Sequence, residues 1–259
     1  MTINKLSDVR LIDTHSHIAG HEFDDDLSEI MEESSRLGLA IISSSIENDE
    51  WDRNLEICRK YELLFASIGL NPEKWTETEA AIKVIRENSP EIVSIGEVGL
   101  DHYKIRDHKE RELQRTAFVE IIGLATELSL PIQIHSRSAG RAALEVLEKE
   151  NASLVHMHAF DGKSSLARMA SNDLEYYFSI PTSVVRSPQK RKLVKAVNIE
   201  RLLIETDSPV LAPEKGTRNT PLNLPIVIQE IARILRRDEE ELQRIILENT
   251  LRLYSRIKF

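Results

Sequence analysis

The first strand-like run of the chain reads Leu11-Ile12-Asp13-Thr14-His15-Ser16-His17. An apolar lead-in that ends in an H-x-H pattern is typical of a buried strand that terminates at a polar site. Because side chains alternate across a strand, the run predicts that Asp13, His15 and His17 share one face. Two imidazoles on one face can reach a single cation. Histidines at this spacing also occur in ordinary cores, so the metal interpretation depends on the rest of the chain.

Strand-like runs recur along the chain with helical patterns between them. Ser187-Pro188 predicts a capped helix start, and Thr76 with Glu79 predicts a capping box. We predict strands at Leu11–His17, Leu39–Ser45, Leu64–Leu70, Ile92–Gly99, Pro131–Ser136, Ser153–His158, Tyr176–Ile180 and Arg201–Asp207. We predict helices at Asp25–Leu37, Glu50–Tyr61, Glu77–Asn88, Glu110–Leu128, Ala139–Glu148, Ser164–Ala170, Pro188–Val197, Leu222–Arg236 and Glu239–Tyr254.

This alternation predicts an α/β fold, a TIM (β/α)8 barrel with extra C-terminal helices, as a single domain over residues 1–259. The length of 259 residues fits the roughly 250 that such a barrel needs. A doubly wound open sheet is the alternative. The barrel is favoured because polar residues end at least five of the strands, and a barrel brings those ends to one face.

Composition narrows the class of protein. The net charge of −9 argues against a protein that coats nucleic acid. Cys58 is the only cysteine, which favours a reducing cytoplasm. The longest apolar runs fall short of the ~18 residues needed to span a membrane, and the N-terminus lacks a signal-peptide pattern. We therefore expect a cytoplasmic protein with no membrane partner, and a monomer is favoured because no oligomer signal is evident.

Other predicted strands also end in His, Glu or Asp, the residue types that commonly bind metal ions. Burial of an unpaired carboxylate is costly, so a buried strand-end carboxylate needs a cation or hydrogen bonds. Any one such residue could be a satisfied core group, but together four imidazoles and two carboxylates suit two ions with one carboxylate bridging. Such a pair can hold a hydroxide near neutral pH and polarise a phosphoryl or carbonyl oxygen. The six candidates are His15, His17, Glu97, His135, His158 and Asp207.

Six segments occur in an order that resembles the successive signatures of the TatD family of metal-dependent hydrolases. They are D-T-H-S-H, G-E-V-G-L-D, P-I-Q-I-H-S-R, H-A-F-D-G, L-L-I-E-T-D-S-P and R-N-T-P, between Leu11 and Pro221. The resemblance implies an amidohydrolase-like TIM barrel and divalent-metal-dependent deoxyribonuclease activity.

The resemblance also implies a role for each candidate ligand. His15, His17 and Asp207 would hold one ion. His135 and His158 would hold the other, with Glu97 bridging, and Asp207 would also act as general base. Glu97 and Asp207 are thus the predicted catalytic carboxylates. We expect three neighbouring polar residues to support the ligands from behind: Asp13, His156 and Glu205.

Two residues depart from the family pattern. Asn71 stands where histidine is usual before Pro72, and Asp161 stands where serine is usual. Asn71 could contact substrate but cannot shuttle a proton. The alternative is that it only forms the turn before the proline. Four basic residues in the loops after the fifth to eighth strands are predicted to clamp phosphates: Arg137, Lys163, Arg186 and Arg218.

The sequence therefore predicts a two-metal deoxyribonuclease that hydrolyses phosphodiester bonds of DNA through a metal-bound hydroxide. We expect Mg²⁺ or Mn²⁺ for activity, and the histidines also suit Zn²⁺. One alternative is an ester or amide hydrolase, such as a D-aminoacyl-tRNA deacylase, which needs the same metals. A remote alternative is a metal-binding module without turnover. The residues alone do not separate DNA from an aminoacyl ester.

Overall fold

Eight parallel strands pair in sequence order in the computed structural model, which describes residues 9–258. The strands are β1 Leu11–Ser16, β2 Leu39–Ser45, β3 Leu64–Ile68, β4 Ile92–Gly99, β5 Ile132–His135, β6 Val155–Met157, β7 Tyr177–Pro181 and β8 Leu202–Glu205. The helices described are α1 Leu27–Leu37, α2 Trp51–Cys58, α3 Thr78–Asn88, α4 His108–Leu128, α5 Gly140–Lys149, α6 Ser164–Asp173, α7 Pro188–Val194, α8 Leu224–Leu235 and α9 Glu239–Leu253.

The last strand meets the first, so the sheet curls into a nearly closed barrel. The hydroxyl of Thr14 donates to the carbonyl of Ile204 at 2.8 Å. Just beyond the strands, Asp207 N donates to His15 O at 2.9 Å, and His17 N donates to Ser208 O at 2.7 Å. The predicted TIM barrel is confirmed, and the open sheet is excluded because its two edges would lie apart.

Every predicted strand and helix is present, and the differences lie at the ends. β1 ends at Ser16, so His17 follows the strand. The side chain of Ser187 accepts from Lys190 N and Pro188 occupies the first turn of α7, as predicted. The predicted capping box is wrong. Thr76 lies inside a short 3-10 turn, Trp75–Glu77, that precedes α3, so it cannot cap the helix.

Apolar residues seal the barrel from below. Ile12, Ile42 and Leu203 pack with Leu253 and Tyr254 from the end of α9. A larger apolar cluster fills the layer between the sheet and the surrounding helices. Polar side chains therefore concentrate in the upper interior, toward the carboxyl ends of the strands, where TIM-barrel sites lie. Between residues 9 and 258, the structure shows no helix that is both long and apolar enough to cross a membrane.

Candidate metal centre

The end of β1 and the end of β8 place three metal-ligand side chains together. The Nε2 atoms of His15 and His17 lie 3.3 Å apart. Asp207 Oδ1 lies 3.8 Å from the first and 3.7 Å from the second. The candidate ligand atoms of this group all lie within 4.8 Å of one another, which is a spacing that one cation could bridge. This is the group that the resemblance assigned to the first ion.

Glu97 lies between that group and two further imidazoles. Its Oε2 atom is 2.6 Å from His158 Nε2 and 3.5 Å from His135 Nδ1. The same oxygen is 3.5 Å from His15 Nε2. The structure therefore brings the six predicted ligands to one end of the barrel, with Glu97 in the middle. Their role as metal ligands stays a prediction.

Each imidazole of the first group has an acceptor at its other ring nitrogen. His15 Nδ1 lies 2.7 Å from Gln133 Oε1. His17 Nδ1 lies 3.0 Å from the carbonyl oxygen of Ser44. An acceptor at Nδ1 places the proton there and leaves the Nε2 lone pair facing its neighbours. Two lone pairs that face each other at 3.3 Å require a cation or a proton between them.

In the second pair of imidazoles, the ring nitrogen that points away from Glu97 contacts a carboxylate. His135 Nε2 lies 3.1 Å from Asp101 Oδ2, so its Nδ1 is the nitrogen that faces Glu97. His158 Nδ1 lies 3.4 Å from Glu205 Oε2, so its Nε2 faces Glu97. A carboxylate behind a histidine fixes the ring and strengthens it as a metal ligand. Glu205 thus lies behind His158, and its supporting role stays a prediction.

The residues fit a divalent cation. Glu97 Oε2 is buried, and three imidazole nitrogens lie between 2.6 and 3.5 Å from it. A buried carboxylate is costly unless positive charge lies beside it, either on a cation or on protonated imidazoles. Imidazole and carboxylate together suit Zn²⁺, Mn²⁺ and related ions. The convergence of three imidazoles on one buried carboxylate is the strongest indication of a metal site here.

The shifted pKa values of the cluster also indicate that positive charge is needed beside the carboxylates. Burial opposes ionisation of Glu97, but the imidazoles of His158 and His135 outweigh it and hold its pKa well below the ordinary value. Burial also acts to lower the pKa of His135, yet the carboxylates of Glu97 and Asp101 raise it to about 9. Without a cation, protons on His135 and His158 would compensate the charge of Glu97, because the carboxylates raise the pKa of both imidazoles.

A chain of buried hydrogen bonds runs beneath the cluster. Tyr254 Oη lies 3.0 Å from Gln133 Nε2 and 2.6 Å from His156 Nδ1. His156 Nε2 in turn lies 2.7 Å from Ser179 Oγ, which donates to Glu205 Oε2 at 2.6 Å. Burial lowers the pKa of His156 to about 3, so this ring is neutral. Both of its ring nitrogens face Tyr254 and Ser179, and its supporting role stays a prediction.

Asp13 is joined to the backbone beside two of the candidate ligands. Its carboxylate accepts from the backbone N–H of Thr206 at 2.8 Å and from that residue's hydroxyl. His15 N also donates to Asp13 Oδ1 at 3.3 Å, and Thr206 precedes Asp207. The supporting role of Asp13 stays a prediction.

Comparison with known proteins agrees with this geometry. A family model described as TatD related DNase matches residues 12–255. The chain belongs to the TatD family. It is 32% identical over 269 residues to human deoxyribonuclease TATDN3, with 98% of each chain covered. It is also 32% identical over 255 residues to an uncharacterized metal-dependent hydrolase of Methanocaldococcus jannaschii, covering 97% of this chain and 99% of the relative.

A solved structure supports the fold of this TatD-family chain. YjjV, a TatD homologue from Escherichia coli, superposes with a TM-score of 0.87 at 24% identity. The match covers 96% of this chain and 99% of that one. At this identity the comparison establishes the barrel and leaves the chemistry to be argued from the site.

Two glycines let the TatD-family site bring β4 close to β5. Gly96 and Gly99 flank Glu97 at φ of 155° and 145°. A Cβ at Gly96 would lie 2.4 Å from Gln133 Cβ, and one at Gly99 would lie 2.2 Å from His135 O. Any larger residue would push the strands apart, and with them the carboxylate and the imidazole that face each other across the gap.

A cavity of about 460 Å³ opens above the cluster, a size suited to a small ligand. Arg137, predicted to contact phosphate, lines it. Asp161 also lines it and accepts from Ser138 N at 2.7 Å. Lys190, which the sequence argument missed, lines it as well, with Nζ donating to Ala159 O at 2.7 Å and Phe160 O at 2.9 Å. Burial lowers the pKa of Lys190.

The other predicted clamp residues lie outside this lining, as far as the described chain shows. Arg218 pairs with Asp26 and lies over the ring of Phe23 at 4.9 Å. Arg186 Nε donates to Ala212 O at 3.1 Å. Lys163 is exposed just before α6. The predicted strand order correctly assigned these residues to the carboxyl end of the barrel. The side chains of Arg218 and Arg186, however, contact Asp26 and Ala212 and do not line the cavity.

Asn71 also has partners of its own. Its Nδ2 donates to Glu47 Oε1 at 2.6 Å, and its Oδ1 accepts from Glu73 N at 2.8 Å. Glu47 in turn pairs with Lys74. These contacts form a turn around Pro72, and Asn71 is not part of the cavity lining over residues 9–258. The geometry favours the turn-forming role over a substrate contact.

Proposed function

We propose that this chain is a two-metal hydrolase that cleaves phosphodiester bonds of DNA. The observation that carries the proposal is the buried carboxylate of Glu97, with three imidazole nitrogens around its Oε2 atom, at the floor of an open cavity. Membership of the TatD family and the deoxyribonuclease name of the human relative support DNA as substrate.

The ligand sets follow the two groups in the structure. His15, His17 and Asp207 would hold one ion. His135 and His158 would hold the other, and Glu97 would contact both. Bound divalent ions would supply Lewis acidity toward a phosphoryl oxygen and activate water at neutral pH. We propose Mg²⁺ or Mn²⁺ as the working ions.

The chain's own groups have distinct tasks. Asp207 faces the cavity and would accept the proton of the attacking water at a carboxylate oxygen. Lys190 uses two of its three N–H donors on backbone carbonyls, which leaves one for a phosphoryl oxygen. Arg137 lies at the rim of the cavity and would bind a neighbouring phosphate.

One observation favours a second candidate, hydrolysis of an aminoacyl ester. Asp161 adds a carboxylate to the cavity wall, where it would repel a phosphate and attract the ammonium group of an amino acid. The candidate metal ligands would serve hydrolysis of a phosphodiester and of an aminoacyl ester equally well. The two candidates must therefore be tested on the same preparation.

The test is a panel of single-stranded DNA and D-aminoacyl-tRNA with Mg²⁺, Mn²⁺ and Zn²⁺. We expect wild type to cleave DNA with Mg²⁺ or Mn²⁺, and the matched Glu97→Gln variant to lose that cleavage. Deacylation of the tRNA without any DNA cleavage would overturn the proposal in favour of the ester. Loss of neither activity in Glu97→Gln would overturn both.

A further inference from the structure

The loop after β4 leaves an aromatic ring uncovered at the rim of the cavity. Tyr103 is 51% exposed, and it is the one Phe, Tyr or Trp side chain among residues 9–258 that the fold leaves so accessible. Arg137 Cζ lies 3.9 Å from the centroid of this ring. The guanidinium covers one face of the ring, and half of the residue is exposed to solvent. An accessible aromatic ring thus adjoins a cation.

The ring is tied to the metal cluster through one carboxylate. Asp101 Oδ1 accepts from Tyr103 N at 2.9 Å and from Lys104 N at 2.8 Å. The other oxygen of Asp101 contacts His135 at 3.1 Å. Asp101 thus positions a candidate metal ligand with one oxygen and the aromatic residue with the other. This arrangement fixes the backbone of Tyr103 relative to His135.

Further contacts hold the loop rigid. His102 N donates to Arg137 O at 2.9 Å, which joins the two loops that carry the stacked pair. The guanidinium of Arg111 donates to Ile105 O at 2.8 Å and to His102 O at 3.1 Å. A side chain on a tethered loop loses little conformational entropy when it binds a ligand. An exposed ring on such a loop is better suited to binding than to packing.

We propose that Tyr103 and Arg137 form a subsite for the nucleobase of a nucleotide whose phosphate lies in the cavity. The base stacks on the exposed ring of Tyr103, and the guanidinium of Arg137 binds the phosphate that the base accompanies. Stacking of a base on an aromatic side chain is worth about 5- to 150-fold in affinity and tolerates any base. This proposal rests on the proposed function and adds a requirement for a base beside the cleaved bond.

The test compares two ligands that share a phosphate and differ in the base. Binding of deoxyadenosine 5′-monophosphate and of deoxyribose 5-phosphate to Mn²⁺-loaded protein is measured by calorimetry. We expect wild type to bind the nucleotide at least about 5-fold more tightly. Tyr103→Leu should bring the ratio near one, and Tyr103→Phe should keep it. Leu113→Ala, which removes an exposed side chain from α4, is the matched control and should also keep the ratio.

The outcomes separate this proposal from the one on which it rests. A ratio near one in wild type, or an unchanged ratio in Tyr103→Leu, overturns the subsite even if the protein cleaves DNA. A base-dependent ratio that disappears in Tyr103→Leu supports the subsite even if DNA is not cleaved. In that case the subsite stands and the proposed reaction fails.

Discussion

Replacing Tyr254 by phenylalanine would remove one oxygen from the centre of the buried hydrogen-bond chain. The hydroxyl contacts His156 Nδ1 at 2.6 Å and Gln133 Nε2 at 3.0 Å, and the residue is fully buried. The ring stays in place, so the change in packing is small. The cost comes from the polar groups that lose their partner.

The two partners of the hydroxyl lose unequal amounts. Gln133 Nε2 still contacts Thr14 O at 3.1 Å and Ser94 Oγ at 3.3 Å. His156 Nδ1 would be left as a buried acceptor without a donor, which costs about 1–3 kcal/mol. We therefore expect the free energy of unfolding to fall by about 2 kcal/mol, which corresponds to a Tm lower by about 4–8 °C in a chain of this size.

Urea unfolding of the metal-free protein measures this loss. Tyr103→Phe is the control, because its hydroxyl is on an exposed residue and its removal should cost less than about 0.5 kcal/mol. A Ser179→Ala variant and the double variant complete a cycle, and we expect a coupling of at least about 0.5 kcal/mol because both hydroxyls contact the His156 ring. Equal unfolding free energies for Tyr254→Phe and Tyr103→Phe would refute this account of the chain.

Four further predictions concern the site. Glu97→Gln should abolish the rise in Tm that Mn²⁺ gives the wild type, measured by calorimetry against an EDTA-treated sample; an undiminished rise would remove Glu97 from the ligands. Asp101→Asn should weaken metal binding by about 10-fold in a chelator competition, because His135 loses its charged support; unchanged affinity would contradict that role. Arg137→Gln should reduce the salt slope of DNA binding by about one unit, whereas Arg218→Gln should leave it unchanged, because Arg218 is paired with Asp26; the reverse result would restore the clamp predicted from sequence. Asn71→Ala should lower the unfolding free energy by about 1 kcal/mol with little change in kcat, because the Asn71 side chain stabilises a turn. A higher kcat in Asn71→His would contradict this, because it would show that residue 71 takes part in the reaction.

The barrel and the ligand cluster could be predicted from the sequence because both follow local rules. A strand's end is marked where an apolar run meets a polar residue, and parallel strands in a barrel share one end. Glu97, His135 and His158 each follow from that rule alone. The supporting role of Asp13 stays a prediction, which its hydrogen bonds from Thr206 and His15 favour.

Some residues around the site could not be predicted from the sequence because their positions depend on tertiary packing. Lys190 lies inside α7 among other basic residues, and nothing in that run distinguishes the one side chain that reaches the cavity. Tyr254 reads as an ordinary residue at the end of a helix. Asp101 could have been predicted, because it ends the G-E-V-G-L-D segment four residues after Glu97. A carboxylate just beyond the end of a strand indicates a residue that contacts the site.

The hydrogen bond from Thr206 to Asp13 spans 193 positions of the sequence, and the one from Gln133 to Tyr254 spans 121. Residues of the first strand and of the last helix are therefore both needed before the imidazoles are oriented. During synthesis on a ribosome, the histidines near the start emerge long before the segments that complete their surroundings. The nascent chain thus exposes candidate metal ligands before their surroundings are complete, and binding of an ion in the native geometry would have to follow release of the helix Glu239–Leu253 from the exit tunnel.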